Sequence, residues 1–145
     1  MQKNLFSCLI LLLLLTTGCH PSNEFPKKYR GEQIQFGQGG GFSGAVTQFV
    51  LLEDGRLFQL PWRDSTKTYI GQWEKNFTKQ IFQNYKVLNL EKLTYNEPGD
   101  LYYFIDYQTD ENVHHRIVWG KPGFHPEENL ISYYNLLFRS SKPKS

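Results

Sequence analysis

The stretch AVTQFVLLEDGRLFQL, residues 45–60, decides the fold. Its two halves are rich in β-branched and apolar residues, and the Asp54-Gly55 pair between them favours a two-residue hairpin turn. Such a turn would place Leu51 opposite Phe58, so that two apolar side chains face each other across the strands. The sequence therefore predicts a β-hairpin at this point of the chain.

Three further segments after this hairpin have a clear pattern. Residues 74–88 repeat apolar side chains at spacings of four, four and three, which predicts an amphipathic helix. Residues 101–107 and 113–119 predict a second hairpin. A last helix is expected to open near Pro126, because proline suits the first position of a helix. The apolar positions of the first helix are Phe77, Ile81, Tyr85 and Leu88.

These segments predict an α+β fold of two layers, in which a four-stranded antiparallel sheet made of two hairpins carries two helices in the order ββαββα. The glycine-rich residues 33–44 are not predicted to form a strand. The pattern of residues 66–73 is compatible with either a short strand or a loop. We expect the chain to divide into a signal peptide over 1–18, a tether over 19–30, a single α+β domain over 31–140 and a polar tail over 141–145.

The first nineteen residues are typical of a bacterial lipoprotein signal peptide. Lys3 precedes an apolar run over 6–15, which is shorter than the roughly 20 residues that span a bilayer. Residues 15–19, LTTGC, resemble a lipobox. The resemblance implies cleavage between Gly18 and Cys19, with a diacylglycerol and an N-acyl chain on Cys19.

This lipobox departs from the usual pattern at one place, because Thr16 stands where leucine is preferred. The alternative interpretation is an ordinary secretory signal with an incidental cysteine. If the cysteine is modified, two or more acyl chains hold the protein stably on a membrane. No other cofactor is expected.

The address and the charge of the chain limit its partners. His20 follows the cysteine, where aspartate would mark retention at the inner membrane, so we expect attachment to the outer membrane with the domain facing the periplasm, and exposure at the cell surface stays open. Lysine and arginine total 16 and aspartate and glutamate 14, and this balance argues against nucleic-acid binding. Cys8 leaves with the leader and Cys19 carries lipid, so the mature chain forms no disulfide.

A run of glycines, residues 39–44, literally satisfies the pattern G-x-G-x-x-G. A dinucleotide site would need a helix after the motif, whereas a strand is predicted there. Two interpretations stay open: a β-bulge or sheet edge, or a loop whose backbone amides and Phe42 contact a partner. The candidate interaction residues are Gly39, Gly40, Gly41, Phe42, Ser43 and Gly44.

No catalytic or metal-ligating set is predicted. His114 and His115 are adjacent in a predicted strand, so their side chains point to opposite faces and cannot share one metal. His125 lies in a loop, and no further ligand accompanies it. Asp106 could pair with His115 across the second hairpin in a structural role.

Several segments resemble a small lipoprotein family of Bacteroidota for which no activity is implied. They are the lipobox, residues 36–47 (FGQGGGFSGAVT), 52–55 (LEDG), 97–100 (EPGD) and 118–120 (VWG). The glycine-then-aromatic entry to the first hairpin and the ββαββα order are also distantly similar to emfourin, a small protein inhibitor of thermolysin-type metalloproteases. That resemblance implies an interaction edge at the glycine run.

The leading hypothesis is a non-enzymatic, membrane-anchored binding module of the cell envelope. Its expected partner is a protein, with proteases as one class. A second hypothesis is a small envelope hydrolase or ligand-processing enzyme that uses His115, His125 and nearby carboxylates. A third is a structural subunit of an envelope complex.

Overall fold

The computed structural model describes residues 22–64, 66–109 and 113–142, so the leader, Gly18 and Cys19 lie outside the described residues. The described chain forms one antiparallel sheet and two helices. The strands are β1 (Gln33–Gly40), β2 (Val46–Leu52), β3 (Arg56–Leu60), β4 (Thr68–Gln72), β5 (Leu101–Gln108) and β6 (His114–Trp119). The helices are α1 (Lys75–Val87) and α2 (Glu128–Ser140), and a short 3₁₀ turn covers Leu90–Lys92.

The predicted four-stranded sheet in the order ββαββα is wrong. The sheet has six strands in the spatial order β4-β3-β2-β1-β5-β6, and the chain order is ββββαββα. The two additional strands are the glycine-rich β1, which lies between β2 and β5, and β4, which forms one edge. The two predicted hairpins are present, and β1 joins them into one sheet.

β1 is a strand because its apolar residues alternate and because it has a partner on each side. Ile34 and Phe36 are wholly buried on the face that carries the helices. The glycines Gly37 and Gly39 take the alternate positions. Glycine has a low preference for strands, but that preference depends on context, and full pairing along both edges overrides it here.

The first hairpin is present, but its predicted register is wrong by one residue. Leu51 faces Leu57 rather than Phe58, and the loop has three residues, 53–55. Gly55 has a φ of 89° and its N–H donates to the carbonyl of Leu52 at 2.9 Å. This is the three-residue hairpin in which a left-handed residue follows the turn.

Both helices lie where the apolar periodicity predicts them. The carboxylate of Glu74 caps α1 by accepting a hydrogen bond from the backbone N–H of Phe77 at 2.9 Å. α2 begins at Glu128, two residues after Pro126. The prediction that Pro126 occupies the first position of the helix is therefore wrong. Within the described residues, no helix is both long enough and apolar enough to cross a bilayer.

The sheet separates two cores of unequal size. The larger core lies between the sheet and the two helices and contains the buried side chains of α1 and α2. The smaller core lies on the opposite face, where Val50, Leu52 and Phe58 are covered by Phe25 and Tyr29 from the N-terminal segment. We call this opposite face the open face.

The two ends of the sheet differ in what they carry. One end bears the β2–β3 turn, residues 53–55, and we call it the Asp54 end. The other bears the β1–β2 turn, residues 41–45, and we call it the Phe42 end. β1 runs from the Asp54 end to the Phe42 end over eight residues, a length of about 26 Å at 3.3 Å per residue.

Candidate functional site

The glycine run continues the central strand into a tightly held turn. Gly39 and Gly40 end β1, and the remaining glycines make the turn to β2. The N–H of Gly41 donates to the carbonyl of Asp100 at 2.7 Å, and the N–H of Gly44 donates to the carbonyl of Gly41 at 3.0 Å. These hydrogen bonds fix the turn to the neighbouring strand and to itself.

Positive φ angles explain why this turn contains glycine. Gly40, Gly41 and Gly44 have φ angles of 99°, 72° and 61°, which residues with a β-carbon rarely adopt. At Gly40 a β-carbon would also overlap the carbonyl oxygen of Asp100. The sequence therefore builds a turn of one defined shape.

Phe42 lies at the tip of this turn and is fully exposed. Two other apolar side chains come to the same end of the sheet: Trp62, which follows β3, and Leu101, which begins β5. They are 43% and 60% exposed. A β-carbon on Gly44 would lie 3.8 Å from the indole of Trp62, and one on Gly41 would lie 3.3 Å from Leu101, so both side chains flank the turn.

We call Phe42, Trp62 and Leu101 the apolar tip. The guanidinium of Arg63 stacks over the indole of Trp62, with its central carbon 4.5 Å from the ring centroid. This contact holds the indole at the rim of the tip and adds a cation beside it. The tip thus combines two exposed aromatic rings, an aliphatic side chain and a positive charge.

A depression of about 270 Å³ adjoins the tip on the side of the helices. It is slightly smaller than the 300–1,000 Å³ typical of small-molecule sites. Its volume suits a single side chain of a partner protein better than a cofactor. The lining residues are Gln38, Gly39, Gly40, Ala45, Thr47, Leu101, Tyr102 and Tyr103.

The six candidate interaction residues do not share one environment. Gly39 is buried beneath the ring of Tyr102, and Gly40 is partly buried against Asp100. Residues 41–44 are exposed. A strand follows the run and every strand pair of the sheet is antiparallel, so the segment lacks the helix that a dinucleotide site requires.

The structure separates the two adjacent histidines, as the strand pattern predicts. His115 points toward the helices, where its Nδ1 is hydrogen-bonded to the hydroxyl of Tyr85 and its Nε2 lies 2.8 Å from the carbonyl oxygen of Leu93. Both ring nitrogens therefore have partners inside the fold. This arrangement suits a structural histidine that links α1, the 3₁₀ turn region and β6.

The suggested pair of Asp106 and His115 does not form, because Asp106 lies on the open face and His115 on the face that carries the helices. Its carboxylate is 2.6 Å from Nε2 of His114 and 3.0 Å from a guanidinium nitrogen of Arg116. The side-chain amide of Gln108 also donates to it at 3.3 Å. A buried carboxylate held by these groups orders the β5–β6 hairpin.

The remaining histidine of the enzyme hypothesis, His125, is exposed in the loop before α2. Within residues 22–64, 66–109 and 113–142 no group of three histidine, cysteine, aspartate or glutamate side chains is placed to hold a metal ion. The hydroxyl of Tyr85 and the carbonyl oxygen of Leu93 are the partners of the two ring nitrogens of His115. Both ring nitrogens of His115 therefore have structural partners, and the hydrolase hypothesis itself stays a prediction.

Sequence reasoning identified Phe42 as a candidate interaction residue, interpreted Trp62 mainly as a packing residue near a strand end, and did not single out Leu101. Phe42 stands out as the single apolar residue among glycines. The other two residues are 20 and 59 positions from Phe42 in the chain, and they meet it only because β1 lies between β2 and β5 and because β3 ends beside the turn. Assigning residues 33–40 to a strand would have indicated that Trp62 and Leu101 lie near Phe42.

No protein-family model matches this sequence, and no curated protein matches it either.

Proposed function

We propose that this chain is a lipid-anchored, non-enzymatic binding module of the bacterial cell envelope, attached through Cys19, that contacts a protein partner with its apolar tip. The observation that carries the proposal is the full exposure of Phe42 on a turn fixed by hydrogen bonds. An exposed phenylalanine ring leaves its apolar surface in water, so burying that surface against a partner is favourable. A rigid turn also has little conformational freedom to lose on binding.

The composition of the tip favours a protein over other partners. Aromatic residues and arginine are enriched at the energetic centres of protein interfaces. Phe42 and Trp62 provide the rings, and Arg63 provides the cation. Phe42 would enter an apolar pocket of the partner, while the adjoining depression would receive one of the partner's side chains.

Site-specific photocrosslinking in living cells tests this proposal. A photoreactive phenylalanine analogue at Phe42 is expected to give a discrete adduct with one envelope protein. Val87, which is 71% exposed at the end of α1, is a matched apolar control and should not give that adduct. The Trp62→Ala and Leu101→Ala changes should weaken the adduct at position 42, since both side chains belong to the tip.

The ββαββα order is wrong and no longer supports the resemblance to emfourin, so only the glycine-then-aromatic entry to β2 suggests a metalloprotease as the partner class. A purified thermolysin-type protease is the probe for it. Inhibition that Phe42→Ala abolishes would support a protease partner. Absence of inhibition would remove this class. The same adducts at positions 42 and 87, or none at 42, would contradict the binding role of the tip itself.

A further inference from the structure

The path of the chain into the domain determines how the anchored protein can face its membrane. The guanidinium of Arg56, the first residue of β3, donates to the backbone carbonyls of Ser22 and Glu24 at 2.9 and 3.4 Å. The ring of Phe25 packs edge-on against Phe58, with the centroids 5.1 Å apart. The N-terminal segment is therefore attached to the sheet from Ser22 onward.

This attachment lies at the Asp54 end. Arg56 follows the β2–β3 turn directly and also pairs with Asp54 at 2.8 Å. Tyr29 reaches the same turn, where burial, together with the neighbouring carboxylates of Asp54 and Glu53, raises the pKa of Tyr29 to about 12. The segment thus enters the domain beside one turn of the sheet, far from the apolar tip.

The remaining leash is short. Cys19 precedes Ser22 by three residues, which span at most about 11 Å when fully extended. β1 alone covers about 26 Å between the two ends of the sheet. An anchor at Cys19 would therefore keep the Asp54 end near the bilayer, since the leash is too short to let the domain invert.

Three bases in this segment face outward. Lys27, Lys28 and Arg30 are exposed, and none of them forms an ion pair with the residues that the structure describes. Lys28 and Arg30 flank Tyr29, so the contact of Tyr29 with the β2–β3 turn places them at the Asp54 end. Lys27 instead lines a depression with Thr66 and Lys67, just before β4, and lies farther from that end. Bases next to a lipid anchor strengthen attachment to anionic lipid.

We infer that the Asp54 end of the anchored domain rests on the membrane, with Lys28 and Arg30 against anionic phospholipid headgroups, and that the apolar tip points away from the bilayer. This inference rests on the proposed lipid anchor at Cys19. It assigns the two ends of the sheet to two partners: headgroups at the Asp54 end and a protein at the Phe42 end.

Energy transfer from the domain to the membrane tests this orientation. The full chain, lipidated in a host and reconstituted into vesicles, would carry a donor dye on Asn76→Cys or on Ala45→Cys. Asn76 is exposed in the first turn of α1 and lines a surface cleft with Asp54, whereas Ala45 is exposed in the β1–β2 turn. The acceptor is a dye-labelled lipid.

Transfer should be several-fold stronger from position 76 than from position 45. In vesicles that contain phosphatidylglycerol the ratio should exceed that in vesicles of phosphatidylcholine alone. The double change K28E/R30E should remove this dependence on lipid charge. The double change K28R/R30K preserves the charge and should behave as the wild type.

Incorporation of radiolabelled palmitate tests the lipid anchor separately from the orientation of the domain. A lipidated chain with equal transfer from both positions would overturn the orientation and leave the anchor intact. A ratio that does not respond to the charge reversal would overturn the headgroup contact. A wild-type chain that takes up no palmitate would overturn the anchor and the orientation together.

Discussion

Individual glycines determine the shape of the turn that carries Phe42. Gly40 has a φ of 99° and no room for a β-carbon beside the carbonyl of Asp100, whereas Gly123 has a φ of 81° and open space around it. The two positions therefore share the cost of a left-handed conformation and differ in steric contact. This pair allows the two costs to be measured separately.

We expect Gly123→Ala to lower the free energy of unfolding by about 1–2 kcal/mol, the cost of a left-handed conformation for a residue with a β-carbon. Gly40→Ala should cost more than about 3 kcal/mol, because backbone atoms must also move. Urea denaturation of both variants measures the difference. Equal losses at the two positions would show that the backbone near Asp100 yields easily.

This comparison also limits which substitutions can probe binding. A change at Gly40 alters the fold along with the surface, so a lost interaction would have two explanations. Phe42→Ala removes only an exposed ring and leaves the hydrogen bonds of Gly41 and Gly44 in place. Phe42 is therefore the informative position for testing the tip.

Among the elements, helices were predicted more accurately than strands. The face of α1 is readable because its apolar spacing is local, and its Glu74 cap lies immediately before it. β1 alternates two apolar residues with glutamine and glycine, so its identity as a strand depends on two neighbours that are distant in sequence. Local pattern therefore predicts the hairpins and the helices, and only the tertiary pairing supplies the six-stranded sheet.

The contact between α1 and the sheet contains stacked tyrosines. Tyr85 of α1 and Tyr107 of β5 are stacked with their centroids 4.6 Å apart, and both are buried. Burial, together with the carboxylate of Glu32, raises the pKa of Tyr107 to about 12, and burial raises the pKa of Tyr85 further. An ionised tyrosine is therefore disfavoured at this contact.

These shifts predict alkaline destabilisation. In the unfolded chain tyrosines lose their protons near pH 10, while Tyr107 keeps its proton up to about pH 12 in the fold. The folded state binds more protons between these values, so the contribution of Tyr107 to the free energy of unfolding should be fully present well below pH 10 and fall as the pH rises through 10 toward 12.

Urea denaturation at pH 9, 10 and 11 measures this decline. Tyr107→Phe should reduce its slope by up to one proton, equivalent to about 1.4 kcal/mol per pH unit. The variant has no hydroxyl to ionise at this contact. An unchanged slope in the variant would assign the alkaline effect to other tyrosines.

At the scale of the whole molecule, the N-terminal segment belongs to the packing of the domain. Residues 22–30 fall within the predicted tether, and Phe25 from this segment covers Phe58 on the open face. The ammonium of Lys67 also lies 3.4 Å from the centroid of the Phe25 ring. This contact was not readable from sequence, because prolines and polar residues around Phe25 are equally typical of a linker.

A chain that begins at Gly31 should therefore be less stable than one that begins at Ser22. Loss of the Phe25 contact is expected to lower the free energy of unfolding by about 1.5–3 kcal/mol, the value of burying one phenylalanine. Phe25→Ala in the longer chain is the matched variant and should reproduce most of the loss, while Lys28→Ala, at an exposed position of the same segment, should leave stability unchanged.

Equal stability of the two chains in urea would mean that the segment rests on the open face without stabilising it. The short leash between the anchor and the sheet would then lose its physical basis, because a segment that detaches freely would lengthen the connection from three residues to about twelve, or roughly 40 Å, which exceeds the length of β1.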